Sequence, residues 1–184
     1  QPLWWDEAEY MLKAKNIVLG TPETGWSSGI RPILFPFLAS ASFLLGLGEI
    51  PIRLVMVLIS SASIMLIYNI GNDLFNKKVG LFASIIMSVF YLDLFYTTRL
   101  LVDVPQIFFI TLASFLFVKN TFKKGSTKLI WFVLPAIFIG LQMRFTVGLF
   151  AGILFLFLIT KDGISLFKKK EWYFSAIIAL ALFV

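Results

Sequence analysis

Carboxylates and guanidinium groups recur in this sequence where polar segments meet apolar ones. Asp6 and Glu7 open a helical pattern beside Trp4 and Trp5, and Arg31 precedes Pro32. Arg99 and Asp103 stand four residues apart between two apolar runs, and Arg144 interrupts Gly140-Leu-Gln-Met-Arg-Phe-Thr. A carboxylate at such a boundary can serve as general base toward an acceptor hydroxyl or amine. A guanidinium presents a planar fork of donors suited to phosphate oxygens. Arg31 and Arg144 beside an acidic side chain would therefore suit a phosphorylated lipid headgroup. The chain has no His and no Cys. That removes the commonest general base and metal ligand together with all thiolate and disulfide chemistry, and leaves acid–base work to Asp and Glu. Glycine-rich phosphate loops, zinc-spaced Cys/His sets and Ser-His-Asp arrangements are absent.

Each of these residues also has a structural reading. Asp6 with Glu9 three residues on resembles a capping box, with Asp6 as N-cap and Glu7 as a favourable first-turn charge. Asp103, followed by Val104-Pro105, can cap the helix that begins there, since proline suits a first turn. Arg31 and Arg144 can snorkel toward a membrane surface. Arg53 at the start of an apolar run and Asp93 near the end of another read as anchors or structural partners.

The elements that must position these groups are apolar. The chain is 59% hydrophobic, 17% aromatic and 14% charged, whereas soluble domains are roughly 45–50% apolar and about 25% charged, so lipid is the expected solvent. Apolar runs cover 33–47, 52–71, 79–97, 101–118, 129–143, 145–160 and 172–184, and several reach the roughly 20 residues of a membrane span. Ten of the lysines fall in the loops 72–78, 119–128 and 161–171. These loops alternate with turns at 98–103 and 143–146 that are almost free of lysine. The positive-inside rule makes the lysine loops cytoplasmic and the turns bearing Arg99, Asp103 and Arg144 external. The net charge of +6 thus reports topology, not a nucleic-acid partner.

Residues 1–32 are polar. Within them, Ala8, Met11, Leu12, Val18 and Leu19 suggest the apolar face of an interfacial helix, with Glu9, Lys13 and Asn16 opposite. Trp4, Trp5 and Trp26 suit the headgroup level. The run 33–47 is broken by Pro36 and, at 1.5 Å per residue, reaches only about 22 Å of a roughly 30 Å core. We read it as a second interfacial or re-entrant helix, which puts all of 1–51 on the external side with Asp6 and Arg31. The expected architecture is an all-α, polytopic integral membrane bundle forming a single domain over 1–184. In it, 1–51 is an external loop with juxtamembrane helices and 52–184 holds six full or partial spans. Since the chain starts at Gln1 and stops within an apolar run, it is expected to be a fragment of a longer protein, with a span preceding it.

The order of these motifs resembles that of the GT-C glycosyltransferases. The similar branch contains the protein O-mannosyltransferases and lipid A aminoarabinose transferases, with bacterial relatives described as dolichyl-phosphate-mannose-protein mannosyltransferase-like. Trp4-Trp5-Asp6-Glu7-Ala8-Glu9-Tyr10 is similar to the acidic motif of that group's first external loop. Gly29-Ile30-Arg31-Pro32 with Pro36 resembles its basic-residue–proline segment, and Gly48-Glu-Ile-Pro-Ile-Arg53-Leu54 its approach to the next span. Ile67-Tyr-Asn-Ile-Gly71-Asn-Asp-Leu-Phe75 is similar to a common cytoplasmic span end. Thr98-Arg99-Leu-Leu-Val-Asp103-Val-Pro resembles its Arg-x-x-x-Asp motif, and Gly140-Leu-Gln-Met-Arg144 stands where relatives carry Gly…Thr-Lys.

The resemblance implies transfer of a sugar from a polyprenyl-phosphate donor to a protein, lipid or glycan acceptor at the external face of the plasma membrane. It implies Asp6 as catalytic base, Glu7 as its support and Asp103 as a second acid. It also implies Arg31 and Arg144, with Arg99, as ligands of the donor phosphate. Some relatives bind a divalent metal through a carboxylate just before the basic residue; here that position is Ile30. A non-catalytic membrane protein, either a transporter or a lipid-binding subunit, is the alternative. Transporters favour midplane sites in repeated halves, and no internal repeat is visible here.

Overall fold

The computed structural model describes residues 4–21, 32–122, 127–163 and 168–182. Among these residues every regular element is helical, as the all-α reading expects. Helix α1 spans Trp5–Leu19 and stops where Gly20 adopts the left-handed conformation at φ 64, its N–H bonding back to the Asn16 carbonyl. Only glycine enters that region without a steric penalty, which is why it closes helices so often. Helix α2, Leu34–Leu44, ends in a turn in which Ser42 Oγ donates to the Gly48 carbonyl at 2.6 Å.

Helix α3, Ile50–Leu74, is the longest element and carries Pro51 in its first turn. Asn76 then caps α4, Lys77–Ser88, its side chain accepting from the Val79 N–H. Helix α5 covers Tyr91–Thr97 and α6 Asp103–Phe122. A 3-10 turn over Thr127–Phe132 leads into α7, Val133–Met143, followed by α8, Val147–Asp162, and α9, Lys170–Ala181.

Helices α3 and α6 are long and apolar enough to cross a membrane. Apolar 79–97 does not form the continuous span expected of it. It breaks between Ser88 and Tyr91 into α4 and α5, which are bent by 58° and make a third crossing only when taken as one element. Helices α7, α8 and α9 are each shorter than a full span. The 3-10 turn and α7 together reach about 28 Å.

Hydroxyls inside these helices return to their own backbone. Ser61, Ser63, Thr111 and Ser114 each donate to the carbonyl four residues earlier, so these four hydroxyls are not presented unsatisfied to hydrocarbon. The crossing of α3 over α4 is close. A Cβ on Gly71 would lie 2.7 Å from Gly80 Cα, and one on Gly80 would lie 2.5 Å from the Tyr68 carbonyl oxygen. Both positions therefore require glycine, and their small size lets the two backbones meet.

Two apolar clusters hold the bundle. One joins Met11 and Ala14 of α1, Phe35 of α2, Met56 of α3 and the segment Leu100–Val102. The other gathers Phe117, Val133, Ile137, Val147 and Leu154 from α6, α7 and α8. Between them runs a polar tie, in which Ser60 Oγ of α3 donates to buried Asp93 Oδ2 of α5 at 2.9 Å. That is the structural partnership expected for Asp93.

Candidate active site

The site forms where α1 lies across the ends of α3, α5, α6 and α7. Its foundation is Glu7, which is fully buried. Helix α1 begins two residues earlier than the sequence suggests, at Trp5, so Trp4 is the N-cap and Glu7 the third helical residue. Glu7, not Glu9, therefore reaches back to the cap. Its Oε2 accepts from the Trp4 N–H at 2.8 Å. Oε2 also accepts from Arg99 Nη1 at 3.3 Å, while Oε1 accepts from the Leu100 N–H at 2.7 Å. Arg53 Nη1 stands 4.0 Å from Oε1 and donates to the Thr98 carbonyl at 2.6 Å. One carboxylate thus pins the start of α1 to the α5–α6 connection and to α3. A buried charge is tolerated only when paired and hydrogen-bonded in this way.

The same tie decides which face of α1 turns inward. The buried residues are Glu7, Tyr10, Met11 and Ala14, a stripe at i, i+3, i+4 and i+7. Ala8, Leu12 and Leu19, expected on the face toward the membrane interface, are exposed on another side of the helix, while Met11 of that set packs inward. Arg99 is likewise committed. Its guanidinium lies 4.4 Å from the centroid of the Trp4 ring and 5.3 Å from that of Phe95, a cation–π contact with two rings that also touch each other, with Glu7 as its counter-charge. Neither Glu7 nor Arg99 lines the cavity described next. They lie behind it at the start of α1, so Glu7, expected as the support of Asp6, and Arg99, expected at the donor phosphate, both stand outside its lining.

With Glu7 turned inward, its neighbour Asp6 turns out. Asp6 and Tyr10, one helical turn apart on the same side of α1, line a cavity of about 310 Å³. The facing wall is formed by Asp103 and Arg144, with Val102, Met143 and Thr146 nearby. Asp103 is the first residue of α6, and its Oδ1 accepts from Arg144 Nη1 in a direct ion pair. Both are only partly buried, with 28% and 43% of their side chains exposed, so the pair is open to the cavity.

Arg144 is placed by backbone chemistry. It ends α7 in an extended conformation at φ −157 and ψ 131, and its N–H donates to the Gly140 carbonyl at 2.9 Å. Gly140 is packed so that a Cβ would meet Phe109 Cβ at 3.0 Å and Val147 Cγ1 at 3.1 Å. The sequence spacing Gly140…Arg144 is thus a helix end whose first residue is confined and whose last is free to turn.

Of the residues expected at the site, the structure brings Asp6, Asp103 and Arg144 to one cavity and puts Glu7 and Arg99 behind it. Pro32 also lines the cavity; Arg31 and Ile30 lie outside the described residues. Tyr10 and Arg53 were not singled out as site residues, although Tyr10 follows Asp6 at helical spacing. Among the described residues no three acidic side chains converge in a metal-binding group, and Asp103 is already engaged by Arg144.

A family model described as dolichyl-phosphate-mannose-protein mannosyltransferase matches residues 30–184. The chain belongs to this family. Membership and the apolar helices together make it a membrane-integrated, mannosyltransferase-like glycosyltransferase. The matched stretch includes Arg99, Asp103 and Arg144, whereas Asp6 and Glu7 precede it. No curated protein and no solved structure matches the chain.

Proposed function

We propose that this mannosyltransferase-family chain carries the catalytic face of an enzyme that moves a sugar from a polyprenyl-phosphate donor to a protein, lipid or glycan acceptor. The face is external on a multi-pass plasma-membrane protein, with residues 1–51 as its external loop. The observation that carries the reading is the shared cavity, in which the Asp6 carboxylate on α1 faces the Asp103–Arg144 pair.

In the proposed step the acceptor oxygen or nitrogen attacks the anomeric carbon while Asp6 takes its proton. The bond from that carbon to the phosphate oxygen breaks, and the polyprenyl phosphate leaves with the electron pair. Negative charge grows on the leaving phosphate in the transition state, where a fixed cation lowers the barrier most. Arg144 supplies that cation. A guanidinium has five N–H donors, so pairing with Asp103 leaves others for phosphate oxygens. Asp103 keeps the fork aimed into the cavity and serves as the second acid. Arg31, next to the cavity-lining Pro32, supplies further positive charge.

The test uses the full-length protein in membranes with labelled polyprenyl-phosphate sugars, comparing wild type with Asp6→Asn at matched expression. A lost general base should lower turnover at least about 10²-fold. Near-full activity of the variant would remove Asp6 from the chemistry and turn attention to Asp103.

A further inference from the structure

A second polar cavity lies at the opposite end of α6, about 26 Å along the helix axis from Asp103. Its volume is about 240 Å³, and its walls include Asn120 and Thr121 of α6, Lys161 of α8 and Lys169 just before α9. Lys161 Nζ sits 5.2 Å from the Phe122 ring centroid, a cation–π contact that keeps the ammonium at the cavity wall. Asn120 Oδ1 is buried and accepts no hydrogen bond. Buried polar atoms nearly always have partners, so this oxygen marks a place where a donor belongs. The cavity therefore offers positive charge and one waiting acceptor together.

The hydrocarbon side of the same place is also shaped. An apolar groove of about 240 Å³ runs between α7, α8 and α9, lined by Leu134, Leu154 and Phe155 among others. Leu158 and Trp172 line both the polar cavity and this groove, so the two adjoin across a shared wall. A cationic recess beside an apolar slot matches a molecule with a charged head and a hydrocarbon tail.

We propose that this is a binding site for an anionic glycerophospholipid whose headgroup carries a hydroxyl. The phosphodiester lies between Lys161 and Lys169 in charge-assisted contacts, the headgroup hydroxyl donates to Asn120 Oδ1, and one acyl chain lies in the groove. Basic recesses between helices at a lysine-rich membrane face attract anionic headgroups for this reason. The site is remote from the sugar-transfer cavity and does not depend on how that cavity works.

Native mass spectrometry of the full-length protein in detergent tests the proposal, with phosphatidylglycerol, phosphatidylcholine and inorganic phosphate as probes. Wild type should retain phosphatidylglycerol over phosphatidylcholine by at least about tenfold. Lys161→Gln with Lys169→Gln should abolish that preference, given roughly tenfold or more from the two charges. Both lysines are exposed, so their replacement spares the core. Ala176→Leu, at a partly exposed position of the groove wall, narrows the groove without altering charge and should lower retention as well. Lys77→Gln with Lys78→Gln removes two exposed lysines from another loop and should leave retention unchanged. The proposal is overturned if that control pair lowers retention equally, if phosphatidylcholine is held as well, or if inorganic phosphate displaces the lipid.

Discussion

Replacing Glu7 by Gln separates the two roles a carboxylate can have beside a catalytic acid. The side chain keeps its volume but loses its charge, and one of its oxygens becomes an NH2 group. Three donors now converge on Glu7: the Trp4 N–H, the Leu100 N–H and Arg99 Nη1. An amide has one accepting oxygen, so the new NH2 must face at least one of them, leaving a buried donor unsatisfied at about 1–3 kcal/mol. Arg99, 12% exposed at its side chain, also loses its counter-charge. Removing one partner of a buried pair costs about 3–5 kcal/mol, and we expect the whole perturbation to fall in that range. For a chain of this size it corresponds to a drop in Tm of roughly 6–20 °C.

Thermal unfolding of the purified protein, followed beside donor turnover, reads both consequences. Glu7→Gln should lower Tm and turnover together, while Asp6→Asn, at an exposed position, should lower turnover with Tm nearly unchanged. If Glu7→Gln unfolds at the wild-type temperature yet loses about 10²-fold in turnover, Glu7 belongs to the chemistry and the scaffold reading is wrong.

Arg144→Ala should raise the KM for the polyprenyl-phosphate donor and lower kcat, with a combined loss in kcat/KM of roughly 10- to 100-fold, the worth of one charge-assisted phosphate contact. Arg144→Lys keeps the charge without the planar fork and should fall between; an unchanged kcat/KM in Arg144→Ala would exclude a phosphate role. At the α3–α4 crossing, Gly80→Ala places a methyl 2.5 Å from a backbone oxygen and should destabilise by about 1–3 kcal/mol. Thermal unfolding checks this, and a Tm equal to wild type would mean the helices can separate there without penalty.

How much was legible in the sequence follows from how local each cause is. Hydrocarbon as solvent demands internally bonded helices, so composition alone carried the all-α membrane class, and the lysine-rich loops separated the two ends of the bundle. The Gly140…Arg144 and Arg99…Asp103 spacings were visible as helix ends because glycine and charge punctuate apolar runs. The break within 79–97 was not visible: no proline marks it, and apolar periodicity continues through it.

The side of α1 that packs against the bundle could not be read either. Counting apolar residues gave only the face expected at the membrane interface, and the inward direction is set by what Glu7 meets. Those partners, Leu100, Arg99 and Arg53, come from segments 46 to 93 residues away in the chain. Sequence by itself determined that Asp6, Asp103 and Arg144 exist at polar–apolar boundaries with the right chemistry. Only the tertiary structure decided that Asp6 faces the Asp103–Arg144 pair while Glu7 and Arg99 lie behind it, because adjacent helical residues point about 100° apart and one long-range buried charge chooses between them.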